Sequence, residues 1–523
     1  MADVVENRKE KIKTKLARWL KDPYNLTFII ILAAAFAIRF WIFLGTINQP
    51  LWYDEANFLA TAKRWAGLQV NDIWYYRRGF FWVLFPAILF KLGFGETGIR
   101  FSEVLFSTGL VALSYFLIKE MFDKKYALLA SLGVALSWIV LFFTARPMTE
   151  IPATFFLLLA FLCFWKGYVK NQGRKYFYLF GLFFAISLLT RFQYAMFVLP
   201  LIVLTFTKEK FKFLKNKNLW LSILVFFIVL IPFFILYSSH YGFFVKDIIA
   251  YYLGIGQPVD IGSAAATKTF ANFFDYFKNL PYMLSWYILI PFLVGIFFFF
   301  VDMVFGIDKI FNNENIQKKL FVFLLIVVPF IALGRITDYV EQRYIMPMLP
   351  FLFLIAAYSF NVFDYIKLGP KSKAFLAFII LLGLLIPSFL WANQLIDSKK
   401  TSYIEVKDAG LWIKQNSNSS DIVVSNSLPQ IIYYSERATY PMALYRQGLH
   451  YQNPELMKYK DGEAGFDEFV IEKKPRYLML SAFENHDEWM YAYPQKHVTE
   501  LVPVLAIPQT QQPVVVVYEF KYA

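Results

Sequence analysis

The chain has 523 residues, of which 58% belong to the hydrophobic set, 20% are aromatic and only 17% are charged. Soluble domains run nearer 25% charged, so a disordered chain, a coiled coil and an ordinary cytosolic enzyme are excluded, leaving a polytopic membrane protein with a soluble appendage. The net charge of +14 would suit nucleic acid, but the positions of the charges argue for membrane topology instead, and the single cysteine, Cys163, rules out an intramolecular disulfide.

A helix needs about 20 apolar residues to cross a bilayer core. After a polar, basic segment (1–26) without a cleavable signal pattern, such runs lie near 27–46, 100–118, 126–143, 150–165, 176–190, 194–207, 219–238, 282–304, 320–335, 343–363 and 374–392. The first run is expected to stay as an anchor. Pro232, Pro291 and Pro350 fall inside runs, as membrane helices tolerate. The stretch 79–92 is apolar but too short to cross, and reads as a helix at the interface.

Lys and Arg set the orientation. With the N-terminus inside, the inner segments hold 25 Lys and Arg, and the longer outer loops hold 13. This predicts eleven crossings, a cytoplasmic N-terminus and an extracytoplasmic C-terminus. The positive charge is thus a topology signal with an attraction to anionic lipid, and no nucleic-acid partner is expected.

From 393 the composition changes. DIVVSN (421–426), RYLML (476–480) and VVVVYEF (514–520) read as strands, and 403–416 and 463–473 as helices. The expected organisation is a basic N-terminus (1–26), a transmembrane domain (27–392) whose first outer loop spans 47–99, and a small extracytoplasmic α/β domain (393–523).

Polar groups at membrane depth are costly, so they are the first functional candidates. Pro50-Leu51-Trp52-Tyr53-Asp54-Glu55-Ala56 follows the first span. Phe58, Leu59, Ala62, Trp65 and Ala66 then fall on one helical face, predicting an amphipathic helix along the interface. Asp54 and Glu55 read either as a helix cap and dipole partner or as chemistry. Adjacent helical residues diverge by about 100°, so the two should not share one task. Glu150, in Arg146-Pro147-Met148-Thr149-Glu150, opens the fourth span, and Glu103 is expected near Arg100. Arg77, Arg78, Arg146, Arg191, Arg335 and Arg343 gather on the same side. Arg191 and Arg343, at the outer ends of spans five and ten, could each snorkel to headgroups, but together they suit an anion, because guanidinium forks match phosphate. His240 is a weak metal candidate, and no metal site is predicted. A carboxylate beside arginines and apolar walls suits a lipid phosphate substrate, with the acid taking a proton from an acceptor hydroxyl.

These residues carry a resemblance. Asp54-Glu55 in the first outer loop is similar to the acidic signature of the C-type (GT-C) glycosyltransferases. Gly93-Phe94-Gly95-Glu96, Arg100-Phe101, Lys119-Glu120-Met121-Phe122, Arg146 to Glu150, Thr190-Arg191 and Arg343-Tyr344 to Pro350 follow in order. The set resembles the branch of the protein O-mannosyltransferases and the aminoarabinose transferases of lipid A. It implies an enzyme that moves one sugar, hexose or pentose, from a polyprenyl- or dolichyl-phosphate donor to a protein, lipid or glycan acceptor outside the cytoplasm, with inversion and no required cofactor. Asp54 is implied as general base, with Glu55 and Glu150 shaping the pocket. Arg191 and Arg343 are implied at the lipid phosphate, with Tyr344, Arg78 and Arg146 as further donor contacts. Where the family carries His-Pro-Pro, this chain has Arg78-Gly79-Phe80-Phe81. The Trp-Trp-Asp triplet of oligosaccharyltransferases does not occur, which disfavours transfer of a whole glycan to Asn. A transporter or flippase, or a non-catalytic envelope assembly protein, remain the alternative readings. The role of the outer loop 239–281 stays unassigned.

Overall fold

The computed structural model describes residues 19–69, 79–144, 146–241, 274–336, 340–444, 454–460, 462–484, 487–509 and 512–522. Helix α1 (Pro23–Thr46) starts on Asp22, whose carboxylate accepts from Tyr24 N at 3.0 Å, with Pro23 in the first turn. Then come α2 (Tyr53–Trp65), α3 (Phe81–Lys91), α4 (Gly95–Met121), α5 (Lys124–Leu136), α6 (Trp138–Phe143) and α7 (Glu150–Phe164). The membrane part continues with α8 (Lys175–Thr190), α9 (Val198–Glu209), α10 (Lys217–Tyr241), α11 (Asp275–Leu284), α12 (Trp286–Phe305), α13 (Glu314–Ile336), α14 (Leu349–Tyr358) and α15 (Pro370–Lys399).

Eight helical runs among the described residues are long and apolar enough to cross a membrane, and they coincide with eight of the expected spans. The other three, 126–143, 176–190 and 194–207, take shorter or interrupted forms: the pair α5 and α6, the 16-residue α8, and a 3₁₀ segment (Phe192–Phe197) leading into α9. Pro350 opens α14 after the 3₁₀ segment Gln342–Met348 instead of interrupting a continuous helix. Proline lacks an N–H and is best placed in the first turn, where that donor has no intrahelical acceptor anyway.

The interruption between α5 and α6 has a clear accounting. Ser137 adopts extended backbone (ψ 124°), which frees carbonyls at the end of α5. Arg39, fully buried in α1, donates to Ala135 O at 3.1 Å and Val134 O at 3.4 Å, and to Ser107 Oγ at 2.7 Å. On the other side of the break, Trp138 N donates to Ser388 Oγ at 3.0 Å. Irregular backbone survives at this depth only where protein satisfies it. Arg39→Met should therefore cost about 3 kcal/mol by leaving carbonyls unpaired, read as a lower Tm of the full chain in detergent. An unchanged Tm would contradict this accounting.

The C-terminal part contains α16 (Ile404–Gln415), β1 (Ile422–Ser425), α17 (Leu428–Ser435), β2 (Ala438–Tyr440), α18 (Glu463–Lys473), β3 (Tyr477–Ser481), α19 (Glu488–Lys496), β4 (Leu501–Gln509) and β5 (Gln512–Phe520). The sheet order is β2-β1-β3-β5-β4. β1 pairs in parallel with β2 and β3, whereas β5 runs antiparallel to β3 and β4. Central β3 is buried along its length, as a strand covered on both faces must be. α17 packs on α2: Leu428, Ile432, Tyr433 and Tyr434 share an apolar cluster with Leu51, Ala56 and Leu59.

That packing corrects one expectation. Residues 55–62 of α2 are buried all round, so α2 is not an amphipathic helix with one face at the interface. Its outer face is taken by α17.

Candidate active site

Two acids leave α2 in different directions, as adjacent helical positions dictate. Glu55 turns inward and is fully buried. Its Oε2 accepts from Trp52 N at 3.0 Å, closing the helix start, and its Oε1 takes Arg146 Nη1 at 3.0 Å. Arg146 lies in the loop between α6 and α7 and is itself buried, its guanidinium stacked 3.8 Å from the Trp52 ring centre. Nη2 reaches Gln49 Oε1 at 3.4 Å. Burial pulls the Arg146 guanidinium below its ordinary pKa, and Glu55 opposes that shift.

Asp54 turns the other way, with its side chain 32% exposed, and Arg343 Nη2 donates to its Oδ2 at 3.3 Å. Arg343 Nε also lies 3.3 Å from Glu150 Oε1 and 3.2 Å from Glu341 Oε2. Neither approach has hydrogen-bond geometry, since this Nε is buried without a hydrogen-bond partner. One guanidinium thus stands among three carboxylates. Glu150, 1% exposed, is held by Arg191 through a short ion pair. Arg191 Nη1 also donates to Thr149 Oγ1 at 2.8 Å, and Nη2 to Gln193 Oε1 at 2.6 Å. The ring of Tyr344 lies 4.7 Å from the Arg191 guanidinium carbon and 5.6 Å from that of Arg343, a cation–π arrangement that spaces the two cations.

Of the expected site residues, Asp54, Glu150, Arg191, Arg343 and Tyr344 thus meet in one network, and Glu55 with Arg146 forms a second, sealed pair beside it. Arg78 lies outside the described residues, as do Arg77 and the side chains of His240 and Arg335. Most of the loop 239–281, residues 242–273, is likewise outside them. Among the described residues, no group of three metal-ligating side chains is found. Arg100 does not take Glu103 as hydrogen-bond partner: it bonds Glu96 Oε1 at 2.8 Å and Gln49 O at 2.9 Å. Both carboxyl oxygens of Glu103 are buried without a hydrogen-bond partner. A glutamate four residues before a cation is the better helical orientation, so Glu96 has the advantage. Gly79, in the segment replacing His-Pro-Pro, sits so close to Thr190 O that a Cβ would lie 2.2 Å from it, next to Arg191.

Sequence reasoning missed Glu341. Burial raises its carboxyl above the ordinary 4.5, and Arg343 opposes that shift. A raised folded-state pKa means the native protein holds the proton more tightly than the unfolded chain. This contribution to stability is present at low pH and is lost as pH rises above 4.5 through the folded value. Glu341→Gln should remove that loss and flatten the stability–pH curve over this window, as thermal unfolding across pH would show. The same curvature in the variant would sink the assignment.

α17 ties the C-terminal part to the start of α2. Leu51 N donates to Tyr434 Oη at 2.7 Å, Tyr433 Oη donates to Glu96 Oε2 at 2.7 Å, and Lys63 Nζ bonds Glu436 Oε1 at 2.9 Å. Burial raises both tyrosine hydroxyls above their ordinary pKa, so they remain protonated. Tyr434→Phe should cost about 1–3 kcal/mol by orphaning the Leu51 N–H and should lower turnover, since Leu51 lies three residues before Asp54. Native Tm with native turnover would contradict this role.

Residues 79–236 match the family model described as dolichyl-phosphate-mannose-protein mannosyltransferase. No curated protein matches the sequence. Among solved structures, the fold is similar to ArnT from Cupriavidus metallidurans bound to undecaprenyl phosphate, with a TM-score of 0.67 and 12% identity over 94% of this chain and 97% of that one. The apo state of that ArnT gives a TM-score of 0.68 at 12% identity, with the same coverage. The oligosaccharyltransferase AglB from Archaeoglobus fulgidus, in complex with an inhibitory peptide and a dolichol-phosphate, gives a TM-score of 0.55 at 14% identity, covering 89% of this chain and 70% of that one. The matched segment is thus similar to the dolichyl-phosphate-mannose-protein mannosyltransferases, and the fold is the one that ArnT and AglB share.

Proposed function

We propose that the protein transfers a single sugar from a polyprenyl- or dolichyl-phosphate donor to an acceptor hydroxyl on the extracytoplasmic side of the membrane, with inversion. The observation that carries this reading is the Arg343 guanidinium bridging Asp54 and Glu150, with Arg191 on the far side of Glu150. Two arginine forks held around the buried Glu150 form a preorganised anion site, and preorganised charge is what stabilises a departing phosphate. Apolar surroundings at membrane depth suit the prenyl chain. Two structures of similar fold, ArnT bound to undecaprenyl phosphate and AglB in complex with a dolichol-phosphate, support this choice of donor class.

The chemistry follows from the charges. Arriving donor phosphate takes over the contact that Asp54 makes with Arg343. The freed carboxylate accepts the proton of the acceptor hydroxyl. The acceptor oxygen bonds to the sugar's anomeric carbon from the face opposite the phosphate, and the bond from that carbon to the phosphate oxygen breaks. Polyprenyl phosphate leaves with the electron pair, neutralised by Arg191 and Arg343. Glu150 positions both arginines. Glu55 and Arg146, locked to each other, fix the orientation of α2 instead of touching the phosphate. The reading assigns no metal or other cofactor.

The purified chain, given polyprenyl-phosphate hexose or pentose and a hydroxyl acceptor, should release polyprenyl phosphate. A deletion strain should lose a terminal surface sugar and accumulate the lipid-linked donor, both read by mass spectrometry. Unchanged surface glycans with no accumulated donor would overturn the reading.

A further inference from the structure

Glu150 and Arg191 mark one end of α7 and α8, and a second cleft lies toward the other. There α7, α8, α9 and α10 enclose an apolar groove of about 310 Å³. Its origin is a close helix crossing. Gly181 of α8 faces α10 so closely that a Cβ would lie 2.2 Å from Ser222 O. Phe180 and Phe184, flanking that glycine, line the groove, as do Val198 and Ile202 of α9. Ile202 is 49% exposed, so the groove opens on the surface of helices that the chain places in the bilayer.

The rim of this groove is basic. Lys210–Lys215 forms a short 3₁₀ segment between α9 and α10. Its Phe213 and Leu214 line the groove, while Lys210, Lys212, Lys215 and the following Lys217 are exposed. Glu209 is the neighbouring acid, yet none of these four lysines makes an ion pair among the described residues. Trp220 also lines the groove, and its indole N–H donates to Leu214 O at 2.7 Å, holding the basic segment at the mouth. Four lysines, a tryptophan and an apolar slot form the pattern of a site at the headgroup level, where lysines attract anionic headgroups and tryptophan settles at the interface.

We propose that this groove holds one acyl chain of an anionic glycerophospholipid from the surrounding bilayer, with the headgroup phosphate at Lys212 and Lys215. The site stands apart from the Arg191–Arg343 network and does not depend on the reading of that network as a transferase centre. A zwitterionic headgroup carries no net charge for the lysines to hold, so the groove selects by charge at its rim and by hydrocarbon in its depth. A chain lodged there wedges α8, α9 and α10 together and stabilises the bundle.

The test uses the full chain, delipidated in detergent and titrated separately with phosphatidylglycerol and phosphatidylcholine of the same acyl chains. Bound lipid is read by native mass spectrometry and stability by thermal unfolding. Phosphatidylglycerol should bind on the order of tenfold more tightly than phosphatidylcholine and give the larger rise in Tm. Lys212→Glu with Lys215→Glu should abolish that preference while leaving phosphatidylcholine binding unchanged. Ile202→Trp, which fills the mouth, should weaken both lipids, and Ile202→Phe gives the same readout should the tryptophan variant not fold. Equal binding of the two lipids by the native chain, or unaltered phosphatidylglycerol binding in the variants, overturns the proposal. Stoichiometric displacement of phosphatidylglycerol by polyprenyl phosphate also overturns it, since the groove would then belong to the donor.

Discussion

Asp54→Asn should lower sugar transfer on the order of 10²–10⁴-fold, the usual contribution of a general base. The substitution keeps the size of the side chain and removes its capacity to accept a proton as a carboxylate. Because Asp54 is 32% exposed and its contact with Arg343 is long at 3.3 Å, stability should change little, and Arg191 and Arg343 should still hold the donor. The loss should therefore fall on kcat and not on donor affinity. Its neighbour gives the contrasting result. Glu55→Gln weakens a buried pair with Arg146 and the closure on Trp52 N, so that variant should lose stability along with rate. Transfer and donor binding measured together with Tm for the two variants separate the roles. Undiminished transfer by Asp54→Asn removes it as the base.

Arg191→Met should be the most damaging change among the site arginines. Glu150 is 1% exposed, and without Arg191 it keeps a long hydrogen bond from Thr149 Oγ1 at 3.4 Å and the poorly aligned approach of Arg343 Nε at 3.3 Å, so no well-placed cation remains. A buried charge stripped of its partner costs about 3–5 kcal/mol. Adding Glu150→Gln should recover a substantial part of that stability, because the orphaned charge goes with it, whereas donor binding should stay weak in the double variant. Arg343→Met should weaken the donor with a smaller penalty in Tm, because Asp54 is partly solvated and Glu150 retains Arg191. Equal stability losses for the two arginine variants would contradict this division.

The ingredients of the site were legible because charges at the ends of apolar runs stand out. Asp54, Glu150, Arg191 and Arg343 were each visible for that reason. Their pairing was not, since it depends on how helices cross. Nothing local to Glu55 says that Arg146, 91 positions away, will stack on Trp52 and close the pair. Glu341 carries no periodicity and lies two residues before Arg343, so only the packed structure shows it at the network. Arg39 sits within a long apolar run, and its task exists only because α5 breaks at Ser137. The face of α2 was misjudged for a related reason: its apolar stripe was legible, but the cover supplied by α17, more than 360 residues later, was not. In the C-terminal part, runs of β-branched residues revealed β1 and β5, and the short apolar run RYLML revealed β3. The short β2 and the proline-containing β4 (LVPVLAIPQ) lacked that signal.

The most direct measurement is a structure of the full chain with polyprenyl phosphate bound. The phosphate should lie between the guanidiniums of Arg191 and Arg343, with the Asp54 carboxylate released toward the acceptor side. A phosphate bound at the lysine-rich end of the bundle, or one that leaves the Asp54–Arg343 contact intact, would contradict it.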